Sequence, residues 1–369
     1  MAKNTMNTLP YEVFLHIFSY IPSKSDLFNL RLACKTLSRV LTPHLFSSLT
    51  FWLESSSLAA LLSISKQPTI AYYVTHLTCS FHYFAEEKTR NEASYLNALC
   101  WHVFADNKHY TKQTYESVSE SAILKGLDYP VERLEKGYAN YCWYLRLQTA
   151  ALKSGEYVRI LAQTLRAFPN LESITLCGDA SLSVHGLCAT KARTLLISHP
   201  TPQTRSRDVF MTVTRALSQL ERRRLRKFRI VGEAVPLHSL MVPDEERRVV
   251  EQALKGLKVL WVNPSGWERD PDVLDRSRLA SLCSSAPELE ELVLDVGDKK
   301  KLIIRRELDI LIGPNKFPHL RHLELRNVEL TPADLLAFSN RHATSLRTLH
   351  LENIRLHDKP PISVTLGDG

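Results

Sequence analysis

Leu289-Glu290-Glu291-Leu292-Val293-Leu294 and Leu320-Arg321-His322-Leu323-Glu324-Leu325 repeat one pattern, L-x-x-L-x-L, at an interval of 31 residues. Apolar residues two apart point to one face of a strand, so each L-x-L predicts a strand that is buried on one side. The pattern also starts at Phe46 (FSSLTF), Val74 (VTHLTC), Leu171 (LESITL), Leu225 (LRKFRI), Leu257 (LKVLWV) and Leu346 (LRTLHL), with a poorer match at Ala192 (ARTLLI). From Leu225 onward the starts are separated by 32, 32, 31 and 26 residues.

Helical patterns fill the intervals. Tyr157, Leu161, Leu165 and Phe168 share a face within 157–168, and Thr331-Pro332 opens a second candidate over 332–342. A strand followed by a helix cannot cover its own apolar face, so neighbouring units must stack. The fold class expected is α/β: a three-helix N-terminal module, then an irregular solenoid with strands on one side and helices on the other, its period near the leucine-rich range. A closed α/β domain with a parallel sheet fits the same periodicity. Residues 82–156 interrupt the array. There Leu134, Tyr138, Tyr141, Leu145, Gln148 and Leu152 form one helical stripe, and Trp101 and Phe104 belong to an earlier helix. Without interleaved basic residues, this aromatic stripe predicts packing onto the array and not a stacking platform for bases. The domain boundaries expected are 1–48, 49–356 with the insertion at 82–156, and a frayed tail, HDKPPISVTLGDG, over 357–369.

In NTLPYEVFLHIFSYIP, Thr8 is the expected N-cap, Pro10 falls in the first turn and Glu12 lies near the positive end of the helix dipole. Val13, Phe14, Ile17, Phe18 and Ile21 recur at helical spacing until Pro22 stops the helix. Ser25 is the expected cap of a second helix carrying Leu27, Leu30 and Ala33 or Cys34. Leu37, Val40 and Leu41 lie on a third, closed by Pro43. So small a unit needs a partner or further chain to bury these faces.

Leu9, Pro10, Glu12, Val13, Ile17, Phe18, Tyr20, Ile21, Pro22, Asp26, Leu27, Leu30, Cys34 and Lys35 resemble the F-box consensus in order and spacing. Leu37 departs from it, standing where many F-boxes carry Trp or Phe. The resemblance implies a helical module that binds the Skp-family linker, and through it a cullin scaffold and a RING subunit. It assigns Leu9, Pro10, Glu12, Val13, Ile17, Phe18, Ile21, Pro22, Leu27, Leu30 and Cys34 to linker binding. A plain N-terminal helical cap on the repeats is the alternative reading of the same apolar positions. As a whole the chain is similar to F-box and leucine-rich-repeat proteins numerous in filamentous fungi. That likeness implies a substrate-recognition adaptor of a Skp–cullin–F-box ubiquitin ligase, a non-catalytic subunit with no cofactor. The alternative is a scaffold or nucleic-acid-binding protein whose F-box serves assembly or self-turnover.

Composition is consistent with that class. The 12 Gly residues form no phosphate-cradling spacing, and the seven Cys residues include no C-x-x-C pair, which favours reduced thiols in cytosol or nucleus. No apolar run is long enough to span a membrane. The net charge of +8 could attract acidic partners. The cluster Arg222, Arg223, Arg224, Arg226 and Lys227 reads as a solvated helix end, a nuclear localisation signal or a phosphate patch. His319 and His322 are three apart on a strand and face opposite ways, as do Glu290 and Glu291, so neither pair suits a metal or paired-carboxylate chemistry. No catalytic or metal-ligating residue is assigned. The positions between the repeat leucines line the exposed strand face, and Arg229, Trp261, Glu291, Arg321 and Arg326 are the expected contacts to a protein target. A register shift of one would turn Trp261 into the core beside Leu260.

Overall fold

The computed structural model describes residues 9–81, 84, 86, 131–178, 205–220, 224–232, 244–264, 278–295, 304–305 and 308–356. Their helices are α1 (Tyr11–Ser19), α2 (Lys24–Ala33), α3 (Lys35–Phe46), α4 (Ser55–Ser65), α5 (Pro68–Ala71), α6 (Val131–Ser154), α7 (Glu156–Arg166), α8 (Arg205–Ser218), α9 (Arg247–Leu254), α10 (Arg278–Ser284), α11 (Leu308–Leu311) and α12 (Pro332–Arg341). Their strands are β1 (Ser48–Trp52), β2 (His76–Ser80), β3 (Ser173–Cys177), β4 (Lys227–Gly232), β5 (Val259–Pro264), β6 (Glu291–Asp295), β7 (Ile304–Arg305), β8 (His322–Arg326), β9 (Val328–Leu330), β10 (Thr348–Glu352) and β11 (Arg355–Leu356).

Each of the eight better L-x-x-L-x-L matches becomes a strand that begins two residues after its first apolar position. The poorer match at Ala192 lies outside the described residues. The eight strands make one sheet in the order β1-β2-β3-β4-β5-β6-β8-β10, with every pairing parallel. Doubly wound sheets reverse their strand order partway. This one follows chain order from edge to edge. Helices pack in the same succession, α4 on α7, α7 on α8, α8 on α9, α9 on α10, α10 on α11 and α11 on α12. The result is a parallel sheet with a layer of helices, an α/β architecture behind the N-terminal helices.

Register aligns the apolar positions into two columns. Leu49, Leu77, Ile174, Phe228, Leu260, Leu292, Leu323 and Leu349 form the first, and Phe51, Cys79, Leu176, Ile230, Val262, Leu294, Leu325 and Leu351 form the second. From β2 to β8 every member of both columns is buried. The first edge is covered as well: Leu49 packs against both the sheet core and the N-terminal helical core. At the other edge all five residues of β10 are exposed.

A second sheet, β11-β9-β7, was not anticipated from the repeat pattern. Asn327 (φ 57°) and Asn353 (φ 53°) turn the chain out of β8 and β10 into β9 and β11. Asparagine tolerates this left-handed conformation better than most residues. Its amide also links successive units: Asn353 Nδ2 donates to Asn327 Oδ1 at 2.6 Å, and Asn327 Nδ2 donates to Asp295 Oδ1 at 2.6 Å.

In the insertion, the predicted stripe lies on α6. Tyr141, Leu145 and Gln148 are buried, and Leu152 packs against the sheet core. Gln148 receives the Phe84 N–H at 3.0 Å and donates to the Leu53 carbonyl at 2.8 Å, satisfying a buried amide at both ends. Phe84 sits among Trp52, Tyr141 and Tyr144 with ring centroids 5.3–5.5 Å away. The aromatic stripe is packing, as expected. Trp101 and Phe104 lie outside the described residues, as does the tail 357–369.

The α12 helix opens with a capping box between Thr331 and Asp334 and ends at the buried His342. His342 Nε2 accepts the Phe317 N–H at 3.1 Å and Nδ1 lies 2.9 Å from the Phe338 carbonyl, so the ring is held neutral with its proton on Nδ1. Burial holds its pKa below the ordinary 6.5, because a second proton would cost desolvation and displace the Phe317 bond. The unfolded chain then binds more protons below that value. His342 therefore contributes its full stability above pH 6.5 and loses it as pH falls from there toward the depressed folded pKa. His342→Gln keeps an acceptor and a donor without titrating. Denaturation of both proteins across the pH range should show the wild type losing stability relative to this variant below pH 6.5, and a constant difference would contradict the assignment.

The two ends of one column give a second test. Leu325 is 0% exposed and Leu351, its register partner, 40%. Leu325→Ala should cost about 2–5 kcal/mol and Leu351→Ala under about 1 kcal/mol in chemical denaturation.

Candidate functional site

The first helix begins two positions later than its sequence suggests and the second two positions earlier. Thr8 lies outside the described residues, and Pro10 is the N-cap of α1, its carbonyl accepting the Val13 and Phe14 N–H groups. Ser23, not Ser25, caps α2, because its hydroxyl stands three residues before Asp26 and accepts that N–H at 3.2 Å. Nor does Pro43 close α3, which runs on to Phe46. Burial of Leu45 and Phe46 outweighs the one backbone bond that proline removes.

α1 is apolar on two sides. Phe14 and Phe18 face inward, stacked with centroids 5.9 Å apart, and form a core with Leu27, Leu37, Val40, Leu41, Leu45 and Phe46. Leu37, the departure from the F-box consensus, is thus a core residue. On the other side, Val13 and Ile17 are exposed, at 40% and 44%, together with Leu9, Tyr11 and Tyr20. α2 adds exposed Phe28 and Leu32.

The expected linker contacts therefore divide. Leu9, Pro10, Glu12, Val13, Ile17, Pro22 and Cys34 are exposed, Ile21 and Leu30 are half-buried against the helical core, and Phe18 and Leu27 are buried in it. Cys34 also has a local task as the N-cap of α3, its Sγ accepting the Leu37 N–H at 3.5 Å. Phe28 and Leu32 were missed as candidates. Their spacing of four on the side of α2 away from Leu27 was the available signal.

On the sheet, the register places Trp261 opposite the core. Leu260 and Val262 are buried on one side, and Trp261 is half-buried on the other. Its register partner Arg229 stacks on it, with Cζ 4.7 Å from the ring centroid. Glu291 lies one strand on, in register with Val259 and His322. Arg321 is exposed just before β8, and its carbonyl accepts the Arg347 and Thr348 N–H groups. Arg326 stands three strands from Arg229 in the sheet order and is occupied by Glu324 and Glu352. Of the five expected target contacts, Arg229 and Trp261 form one pair and Arg326 belongs to a separate network. The basic cluster beside β4 is split too: Arg222 and Arg223 lie outside the described residues, while Arg224, Arg226 and Lys227 are exposed, with Arg224 donating to Asn170 at 3.1 Å.

Burial opposes ionisation of Glu324, but hydrogen bonds and charge from Arg326, with His322 and His350 beyond, hold its carboxyl below the usual range. Glu324, His350 and Glu352 bring ligand atoms within 4.8 Å of one another. The guanidinium of Arg326 already pairs with both carboxylates there and offsets one of their two charges. Burial pushes the thiol of Cys283 up to about 12 and raises that of Cys79 still further, so both are protonated at neutral pH and poor nucleophiles. No helix among the described residues is long and apolar enough to cross a membrane.

Comparison with known families bears on the helices. Residues 6–52 match the family model of F-box-like domains, a span that takes in α1, α2, α3 and β1. No curated protein matches the chain. F-box domains in general bind Skp-like linkers and serve as non-catalytic adaptors of ubiquitin ligases. The N-terminal segment is an F-box-like domain, and it supports an adaptor role for the chain in those general terms.

Proposed function

We propose that the chain is the substrate-recognition adaptor of a Skp–cullin–F-box ubiquitin ligase. The observation that carries this is the exposed apolar stripe of Val13 and Ile17 on α1, with Leu9 just before the helix, lying about 100° around the axis from the stripe of Phe14 and Phe18 that already fills the core. A helix that only capped the sheet would need one apolar side, and this one has two. The outer side suits a helical partner that supplies its own apolar groove.

Behind the F-box we read a leucine-rich-repeat-like solenoid. Monotonic strand order, parallel pairing and the linked Asn327 and Asn353 support that reading. The target surface is then the strand face opposite the core, where Arg229, Trp261 and Glu291 stand, and the target is a protein. Catalysis in this scheme is proximity: the adaptor raises the concentration of a bound target near the ubiquitin-charged enzyme, and bonds are made elsewhere.

Two side chains one position apart on α1 test the docking side. Ile17→Asp places a charge on an exposed position, 44% accessible, and should leave the fold intact while weakening Skp-linker capture by about 2 kcal/mol or more, roughly thirtyfold. Phe18→Ala, at 3% exposure, should instead destabilise the helices by about 3–5 kcal/mol. A folded Ile17→Asp protein that captures the linker as well as wild type would overturn the assignment. For the whole reading, affinity purification with the cullin inhibited should enrich a target that is otherwise ubiquitinated and lost. Targets whose abundance ignores the inhibitor would speak for a scaffold instead.

A further inference from the structure

The two edges of the main sheet are finished differently. β1 is covered by the N-terminal helical core, against which Leu49 packs. β10, last in the strand order, has all five residues exposed, and its Leu349 and Leu351 continue the two apolar columns that are buried from β2 to β8. The helix layer ends in the same way. α12 turns Arg341 toward Asp309 of α11, whereas Leu336, five positions earlier and so about 140° around the helix, is exposed. Terminal units of stacked arrays ordinarily carry a polar outer face, and edge strands are shielded by Lys, Pro, a bulge or an inward-pointing charge. β10 uses none of these devices. It reads Thr-Leu-His-Leu-Glu, its pairing with β8 runs unbroken over five residues, and both positions on the core side are leucine.

Hydrogen-bond parity selects what can pair with it. The Thr348 N–H donates to the Arg321 carbonyl and the Glu352 carbonyl accepts the Asn327 N–H, so residues 348, 350 and 352 direct their backbone groups at β8. Those of Leu349 and Leu351 therefore point along the outer edge. A second β10, laid antiparallel, matches both in one register, with a two-fold axis at His350. Leu349 then lies opposite Leu351 of the second copy, and Leu351 opposite its Leu349. Moving the axis by one residue in either direction sets a leucine against Arg347 or Asn353 instead. On the outer face, the same register puts Glu352 opposite Thr348 of the second copy and keeps the two carboxylates apart.

From this we infer that the β10 edge is an interface between two copies of the chain, joined antiparallel about a two-fold axis at His350. Each of the two leucine pairs exchanges two N–H···O bonds, and the sheets continue into one another with their leucine columns and helix layers on the same sides. That brings the two α12 helices side by side at the end where Leu336 is exposed. The F-box-like helices lie at the far edge of each sheet and stay open, so the dimer carries two of them, with two strand faces between.

Sedimentation velocity of the full-length chain over a concentration series should show a monomer–dimer equilibrium. Leu351→Lys puts a charge into both leucine pairs and should raise the dissociation constant at least about tenfold. Because Leu351 is exposed in the single chain, circular dichroism of this variant should match wild type. The small cost given above for Leu351→Ala refers likewise to the dissociated chain. His350→Cys tests the axis itself. Opposite residues of a non-hydrogen-bonded pair have Cα atoms about 4.5 Å apart, within disulfide range, so mild oxidation should cross-link this variant into a covalent dimer faster than wild type. The exposed Cys34 is present in both and serves as the control. Should Leu351→Lys fold poorly, the cross-linking rate of His350→Cys decides alone. A chain that stays monomeric at every concentration, leaving the edge to residues 357–369 or to another protein, would overturn the dimer. So would a dimer indifferent to Leu351→Lys, or His350→Cys cross-linking no faster than wild type.

Discussion

A single type of hydrogen bond sets the pitch of this molecule. The carbonyls of Ser47, Thr75, Glu172, Arg226, Lys258, Glu290 and Arg321 each accept two successive N–H groups from the strand that follows in the sheet. A carbonyl has two lone pairs, and here both are used at the entrance to each strand. Seven repetitions of that bond fix the register, and the register aligns the two apolar columns. A slip of one residue anywhere would send a whole strand of leucines to solvent, so the pattern is self-enforcing from β1 to β10. It also decides which side chains are free to do something else. With Leu260 and Val262 committed to the core, Trp261 has no choice but the opposite face.

This explains why the strands were legible from sequence and other features were not. L-x-L alternation has period two, and only one face of each strand is apolar, so eight strands and the side on which Trp261 stands follow from the pattern. α1 defeats the same logic. Phe14 and Phe18 are four apart, and so are Val13 and Ile17, so helical period shows two stripes without saying which is inward. The larger aromatic pair fills the core and the aliphatic pair remains outside. Only packing against Leu27, Leu41 and Phe46 decides it.

Other misses have local causes. Pro43 read as a stop because its ring removes a donor, yet Leu45 and Phe46 beyond it are buried and hold the last turn. The small second sheet escaped because two- and three-residue strands carry too little alternation. Its signal was the recurrence of an asparagine at Asn327 and Asn353, seven residues after Leu320 and Leu346, whose meaning lies in backbone conformation and not in hydrophobicity. The Arg229–Trp261 pair shows a further limit. Sequence places both residues on one face, but that Arg229 stacks on the Trp261 ring is a matter of three-dimensional register.

The joint between the two parts of the chain has its own consequence. Leu49 of β1 and Ile64 of α4 pack against both the F-box core and the sheet core, and the carbonyl of Ser47, directly after α3, accepts the Thr75 and His76 N–H groups at the start of β2. α3 thus runs into the first strand without a linker, and the same side chains belong to two cores. A flexible joint would spread a bound target over a large volume and dilute it near the catalytic partner, whereas a stiff one holds a narrow range of separations. In the proposed adaptor role the shared leucine and isoleucine are therefore as much part of the mechanism as the exposed stripe on α1. They convert docking of the helices into a defined position for the strand face.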